Sequence, residues 1–371
     1  MKIYSERIYL PEGTVKGTIT VTDGKFESVE KDVKAADAKD YGTLRIIPGI
    51  FDTHNHGTCG FDPANGEHLG KDAAKQQIRW YLKGLASQGV TSIFPTVMEC
   101  AALENVAEVA EEKEVIGAEI LGIHSEGPWL NRVGEKGIRT GWPEISVDKA
   151  KEMVESAKGW LKLVAIAPEI PGAYEVIDYF LSQGITVAAA HSDNKYKQAM
   201  EAYDRGVSVA THLGNVMTDI HHRDVGGIGA GLLNDKVTCE MICDGMHNCN
   251  EMLQIYLKVK DHSKLEMISD CTPLSGAPVG TYNAYGMTVN VTPEGFLLTD
   301  TGRLMGSSQP VIYGIRNLVT NLGVSLEECL KMACLNPAIK YGFADRKGTI
   351  EVGKDADFVV IDDDFKAVDT Y

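Results

Sequence analysis

Between residues 45 and 272 short apolar runs end in polar or small residues, and amphipathic stretches separate them. The runs are RIIPGIFDTH, SIFPTV, EILGIHSEG, LKLVAIAPE, ITVAAAHS, VSVATHLGN, VTCEMICDGMH and KLEMISDCT. Each is nearly continuous in apolar character, the pattern of a strand buried on both faces. Stretches such as KDAAKQQIRWYLKGLASQG and NKYKQAMEAYDRG place apolar residues at helical spacing and close on glycine. Strands alternating with helices predict parallel βαβ units in an α/β fold. Eight such strands over about 250 residues predict a (β/α)8 TIM-like barrel, with a doubly wound open sheet as the rival.

The two ends follow another rhythm. KIYSERIYL, GTITVTDG and KFESVEK at the start, and GTIEVGKDADFVVIDDDFKAV at the finish, alternate short β-rich pieces with turn residues. Chain ends of a domain often lie close together. This predicts a small, discontinuous domain of antiparallel strands from residues 1–46 and 344–371, around a barrel of residues 47–343. A chain of 371 residues accommodates one large domain with one small one.

Charge narrows the partners. Lys and Arg number 36 against 52 Asp and Glu, a net charge of −16. That balance argues against nucleic acid and anionic membranes as partners, and an anionic substrate would need its own basic pocket. No apolar run reaches the ~18 residues of a membrane span. The start, MKIYSERIYLPEG, meets charge and proline too early for a signal peptide. Eight cysteines without a CxxC pair read as reduced thiols of a cytoplasmic protein, mostly core filler.

The candidate chemistry sits at strand ends. His54 and His56 end the first run, and Glu126 follows the third. His191 ends the fifth, His212 the sixth, His247 follows the seventh, and Asp270 ends the eighth. In a parallel barrel these ends face one way, toward the face where barrel enzymes work. His54-Asn55-His56 puts two imidazoles on one side of a strand. Buried imidazoles and carboxylates are costly without partners, and a divalent cation is the charge on which such a set converges. Such ligands suit zinc, iron, manganese and cobalt alike. His124 reads as a core or supporting residue, and His68 and His262 as solvent-exposed.

PGIFDTHNHG, HSEGP, AAHSDN, ATHLGNVM, CDGMH, SDCTPLSG, RLMGSS, NPAIKYGF and GTIEVGKDADFVVID follow in order from about residue 45 to 362. Together they resemble the motifs of the amidohydrolase superfamily and, within it, of the N-acetylglucosamine-6-phosphate deacetylase family. The resemblance implies a (β/α)8 barrel with a small β-sandwich-like domain from both termini, and usually a homodimer. It implies one metal ion held by Glu126, His191 and His212, and a second through His54 and His56 with Glu126 bridging. It makes Asp270 the general base and then the general acid of amide hydrolysis, with His247 or the metal stabilising the oxyanion. It assigns substrate contacts to Asn215, Val216, Asp244 and His247, with Leu304, Met305 and Gly306 closing over the sugar. Arg223 would hold the phosphate, in its own or a neighbouring subunit's site; its other use would be an ion pair with Asp219 or Asp224.

One departure stands out. Where the family carries Lys-Gly-x-His, this chain reads Lys136-Gly137-Ile138-Arg139. Arginine donates hydrogen bonds but neither accepts them nor titrates near neutrality. Either Arg139 takes over a donor role toward the substrate, or the substrate differs. The expected reaction is deacetylation of an N-acetylhexosamine 6-phosphate, foremost N-acetylglucosamine 6-phosphate. N-acetylgalactosamine 6-phosphate and another amide of the same superfamily are the alternatives. A non-catalytic binding barrel would have let its ligand set decay, and this chain keeps the whole set.

Overall fold

A computed structural model of the chain describes residues 1–64, 66–112, 116–132, 143–284 and 286–371. Six parallel strands lie side by side in chain order: Ile123–Glu126, Leu161–Ile166, Thr186–Ala189, Val209–Ala210, Thr238–Ile242 and Leu265–Ile268. A second parallel sheet holds Ile50–Asn55, Val90–Pro95 and Glu119–Ile120. Single parallel bridges join the two sheets at both edges, Thr96 to His124 and Asn55 to Cys271. Helices such as Lys71–Ser87, Cys100–Glu111, Ala173–Ser182 and Tyr196–Arg205 separate successive strands. The strands are apolar on both sides because both sides are covered. Val164 and Ile166 pack outward with the helical residues Val176, Ile177 and Phe180, while Leu163, Ala165, Ala188 and Val209 pack inward with Phe51 and Phe94.

The termini meet in one seven-stranded sheet. Its strands include Lys2–Leu10, Gly13–Thr22, Lys25–Lys31, Arg45–Pro48, Phe358–Ile361 and Ala367–Thr370. Ile3, Ile19, Phe26, Ile46, Phe358 and Val360 share a core, so both ends contribute to one apolar interior. The sheet is mixed where antiparallel pairing was expected, because Lys2–Leu10 runs parallel to Arg45–Pro48.

Two of the expected strands are each divided. RIIPGIFDTH breaks at Gly49, so that Arg45–Pro48 joins the terminal sheet and Ile50–Asn55 joins the parallel one. The chain passes so close to the neighbouring strand that a Cβ on Gly49 would lie 2.0 Å from the Thr91 hydroxyl. EILGIHSEG likewise divides into Glu119–Ile120 and Ile123–Glu126.

Between the last parallel strand and the helix Val311–Leu322 lies a three-stranded antiparallel sheet that the sequence pattern did not disclose. It comprises Gly280–Ala284, Met287–Val291 and Leu297–Thr299. Val289, Val291 and Leu297 form its small core, and Met305 packs against them. Among the described residues no helix is long and apolar enough to cross a membrane.

A buried polar seam joins the first and last parallel strands. Asp52 is fully buried and accepts hydrogen bonds from Ser269 Oγ at 2.5 Å, Ser269 N at 3.2 Å and Asn55 Nδ2 at 3.2 Å. Burial pushes its carboxyl up to about 6 despite the bonds from Ser269 and Asn55. The same seam ties Asp270 N to the His54 carbonyl at 2.9 Å. Asp52→Ala would leave those donors unmatched and should lower the unfolding free energy by at least about 2 kcal/mol, read from urea denaturation. An unchanged midpoint would show that the seam is not held by Asp52.

Candidate metal centre and active site

Six side chains from five strand ends converge on one point. Glu126 is at the middle. Its Oε1 lies 3.1 Å from His191 Nε2 and 2.9 Å from His212 Nε2, while its Oε2 lies 3.2 Å from His56 Nε2. His54 Nε2 is 3.7 Å from Glu126 Oε1 and 3.2 Å from His56 Nε2. Asp270 Oδ1 lies 3.5 Å from His54 Nε2 and 3.4 Å from His56 Nε2. His54, His56 and Glu126 form one set whose ligand atoms lie within 4.8 Å of one another, and Glu126, His191 and His212 form a second.

The backbone bends sharply to aim these groups. His191, His212 and Asp270 adopt φ of 48°, 32° and 50°, and Val216 adopts 53°. Non-glycine residues seldom occupy this left-handed region, which costs of order 1–3 kcal/mol each and gathers at functional sites.

Charge couples the cluster. Burial opposes ionisation of every member. Glu126 and Asp270 nevertheless raise His54, and Asp270 and Glu126 together push His56 up to about 9. In return His54 and His191 hold Glu126 well below the usual carboxylate range, and His54 and His56 bring Asp270 down to about 2. His124 is the exception. Fully buried and edge-on to His54 at 4.5 Å between ring centroids, it is pushed down by burial and by His54.

The donor set fits a divalent cation. His191 Nδ1 lies 2.7 Å from the Arg132 carbonyl, which only accepts, so Nδ1 carries the proton. In the neutral ring, Nε2 then presents a lone pair to the Glu126 carboxylate, and two acceptors at that range call for a positive charge. His212 Nδ1 is buried without a hydrogen-bond partner among the described residues, and its Nε2 lies 3.2 Å from that of His191. Glu119, Asp355 and Asp357 also lie close together, but Arg346 and Lys347 already pair with them, an ion network between the parallel strand Glu119–Ile120 and the terminal sheet.

Beside the cluster, His247 Nδ1 lies 2.7 Å from Asp244 Oδ2, and Asp244 Oδ1 accepts the N–H of Met246 at 2.8 Å and of His247 at 2.9 Å. Burial disfavours the imidazolium, but the Asp244 carboxylate outweighs it and raises His247. The buried Nε2 has no hydrogen bond of good geometry among the described residues, and the Gly306 backbone beside it also favours the protonated ring.

The remaining expected residues are placed as follows. Asn215 turns its amide onto the His212 carbonyl at 3.2 Å, beside the half-buried Val216. Leu304, Met305 and Gly306 follow the three-stranded sheet, which holds them through Met305 N to Leu297 O at 3.1 Å. Gly306, at φ 57°, lies where a Cβ would meet Thr272 at 2.5 Å and the Asp270 carbonyl at 3.0 Å. Arg223 is exposed, on a turn closed by paired bonds between His221 and Asp224. Its Nη1 lies 3.0 Å from His222 Nε2, while Asp224 accepts from the N–H of Tyr196 and Gly226, so an ion pair with Asp224 is not formed. Arg139 lies outside the described residues. His262 is half-buried rather than exposed, held by Glu328 at 3.2 Å and the Leu257 carbonyl at 2.8 Å. Cys59 and Cys249 are exposed and Cys100 half-buried; the other five cysteines are core residues.

Sequence reasoning passed over Arg132, whose carbonyl fixes His191 and whose Nη1 lies 3.3 Å from the Met217 carbonyl. It also passed over Glu169, which gathers Asn131, Ser192 and the Asp193 N–H beside the same strand end. Arg132 lies four residues beyond HSEGP and Glu169 ends the run LKLVAIAPE, so a charged residue at or just past a strand end is the available signal.

A profile described as "Amidohydrolase family" matches residues 45–370. The chain belongs to the amidohydrolase family. This amidohydrolase is 32% identical over 342 residues to an N-acetylglucosamine-6-phosphate deacetylase of Vibrio furnissii, covering 91% of this chain and 84% of the relative. It is 29% identical to an N-acetylgalactosamine-6-phosphate deacetylase of Escherichia coli O157:H7, covering 93% and 90%. The crystal structure of an N-acetylglucosamine-6-phosphate deacetylase from Pasteurella multocida superposes with a TM-score of 0.87 at 26% identity, covering 100% and 98%.

Proposed function

We propose that this amidohydrolase removes the acetyl group from N-acetylglucosamine 6-phosphate, giving glucosamine 6-phosphate and acetate. The observation that carries the reading is the convergence of four imidazoles and the Glu126 carboxylate beside Asp270 at one end of the parallel strands. The names of the relatives supply the substrate class. We assign Glu126, His191 and His212 to one divalent ion, and His54, His56 and Glu126 to a second. Such an ion would acidify its bound water to near neutral pH and polarise a carbonyl. Asp270 takes the proton of the attacking water and delivers it to the departing amine. His247, oriented by Asp244, directs Nε2 to the acetyl oxygen or a sugar hydroxyl. Asn215, the Val216 N–H and Arg223 bind the phosphate, with Arg223 acting in its own site or across a homodimer. Leu304, Met305 and Gly306 cover the sugar.

The fold reading that accompanies this is a (β/α)8 barrel of residues 47–343, supported by the bridges at both edges of the parallel sheets. Residues 1–46 and 344–371 form the small, sandwich-like domain, supported by their shared core. N-acetylgalactosamine 6-phosphate is the second reading. It is favoured by Arg139 in place of the histidine expected near the amide, and by the relative of that name.

Phosphate recognition is tested by comparing phosphorylated with unphosphorylated N-acetylhexosamine as substrate. Wild type should prefer the phosphorylated sugar. Arg223→Ala should raise its KM by about 10–150-fold, the worth of a charge-assisted hydrogen bond at about 1.5–3 kcal/mol. A wild type indifferent to the phosphate, or a variant that keeps the preference intact, would remove Arg223 as the anion site.

A further inference from the structure

Glu240 lies in the strand Thr238–Ile242 and is fully buried. Its neighbours Cys239 and Met241 pack into the large core, so period-two alternation points Glu240 the other way, into the ring of strands. The adjoining strand repeats the pattern: Leu265 and Met267 pack outward, and buried Glu266 stands in register with Glu240. None of the four carboxylate oxygens has a hydrogen-bond partner among the described residues. Acidic side chains in so apolar a place are costly to fold unless they answer another group.

One group does face Glu240. His54 Nδ1 lies 3.6 Å from Glu240 Oε2, within ion-pairing range, and this buried nitrogen has no hydrogen-bond partner among the described residues. The opposite nitrogen, Nε2, looks into the cluster of His56, Glu126 and Asp270. A ligating imidazole is neutral, with one N–H and one lone pair, and the group behind it decides which nitrogen keeps the proton. Burial and the neighbouring Glu240 push the Glu266 carboxyl up to about 8.

We propose that Glu240 is a positioning residue: it holds the His54 proton on Nδ1 and thereby turns the Nε2 lone pair toward the ion shared with His56 and Glu126. The inference rests on the two-ion reading above. The other histidine set is served differently, because His191 Nδ1 donates to the backbone carbonyl of Arg132. Glu240 therefore acts on one ion and leaves the other alone.

The test titrates the full-length protein with zinc ion and counts ions per chain, for wild type, Glu240→Leu and Glu240→Gln, with folding followed by circular dichroism. Wild type should take two ions. Glu240→Leu should take one. Glu240→Gln keeps the shape and an acceptor oxygen, so it should take two, the second about 10–100-fold more weakly. A merely structural role would lower both affinities together, and that result overturns the proposal. So does Glu240→Leu holding two ions at wild-type affinity. If the leucine variant does not fold, unchanged affinity for both ions in Glu240→Gln overturns it instead. A wild type that never exceeds one ion overturns the two-ion reading and this inference with it, and is recognised because the failure precedes any substitution.

Discussion

Asp270→Asn should lower kcat by about 10²–10⁴-fold while leaving KM within a few-fold of wild type. The substitution keeps the shape of the side chain and removes the group that accepts and returns a proton. The proposed mechanism gives both transfers to Asp270. Its Oδ1 sits 3.5 Å and 3.4 Å from the Nε2 atoms of His54 and His56, and its backbone is held in the left-handed region by bonds to the His54 carbonyl and from the Ser307 N–H. His54 and His56 bring its carboxyl down to about 2 against the effect of burial, so it is ionised and ready to accept at neutral pH. The residues proposed to bind phosphate and sugar, Asn215, Arg223 and Met305 among them, lie on other segments and should survive the change. Steady-state kinetics separates the two parameters. A rise in KM with kcat intact would make Asp270 a binding residue instead.

Glu126→Gln has the larger reach, because one carboxylate serves both histidine sets. Its Oε1 faces His191 and His212, and its Oε2 faces His56. An amide keeps one oxygen acceptor but loses the charge and offers a donor where a ligand is required. Bound metal should therefore fall at both sets together. The catalytic contribution of a bound cation is several kcal/mol, which at about 1.36 kcal/mol per decade corresponds to a loss of three decades or more in kcat/KM. Metal analysis of the purified variant, beside its kinetics, reads both effects. A variant that carries its full complement of ions would show that Glu126 is not the shared ligand.

The positions of the cluster were legible in the sequence because each group ends an apolar run. His54, Glu126, His191, His212 and Asp270 each stand at the polar end of such a run, and the recurrence of titratable groups at five ends is itself the signal. Glu240 and Glu266 were not legible. Each is one acidic residue within an apolar run, VTCEMIC and KLEMIS, and such a residue ordinarily marks a solvent face. Here the strands curve round an interior, and the acidic residue points into it. The break at Gly49 was hidden because RIIPGIFDTH is apolar on both sides of it. Only the approach of Thr91 makes glycine necessary there. The three-stranded sheet at Gly280–Thr299 was hidden for another reason. Its strands are three to five residues long and much of their surface is exposed, so neither alternation nor continuous apolar character stands out.

The central claim is that a cation-dependent site at the strand ends cleaves the amide of an N-acetylhexosamine 6-phosphate. The direct measurement incubates metal-loaded protein with N-acetylglucosamine 6-phosphate and quantifies acetate and free amine, with metal content determined on the same sample. The account predicts equal amounts of acetate and glucosamine 6-phosphate, and loss of both products when a chelator strips the ions. Folded, metal-loaded protein that releases no acetate from either N-acetylglucosamine 6-phosphate or N-acetylgalactosamine 6-phosphate would contradict it.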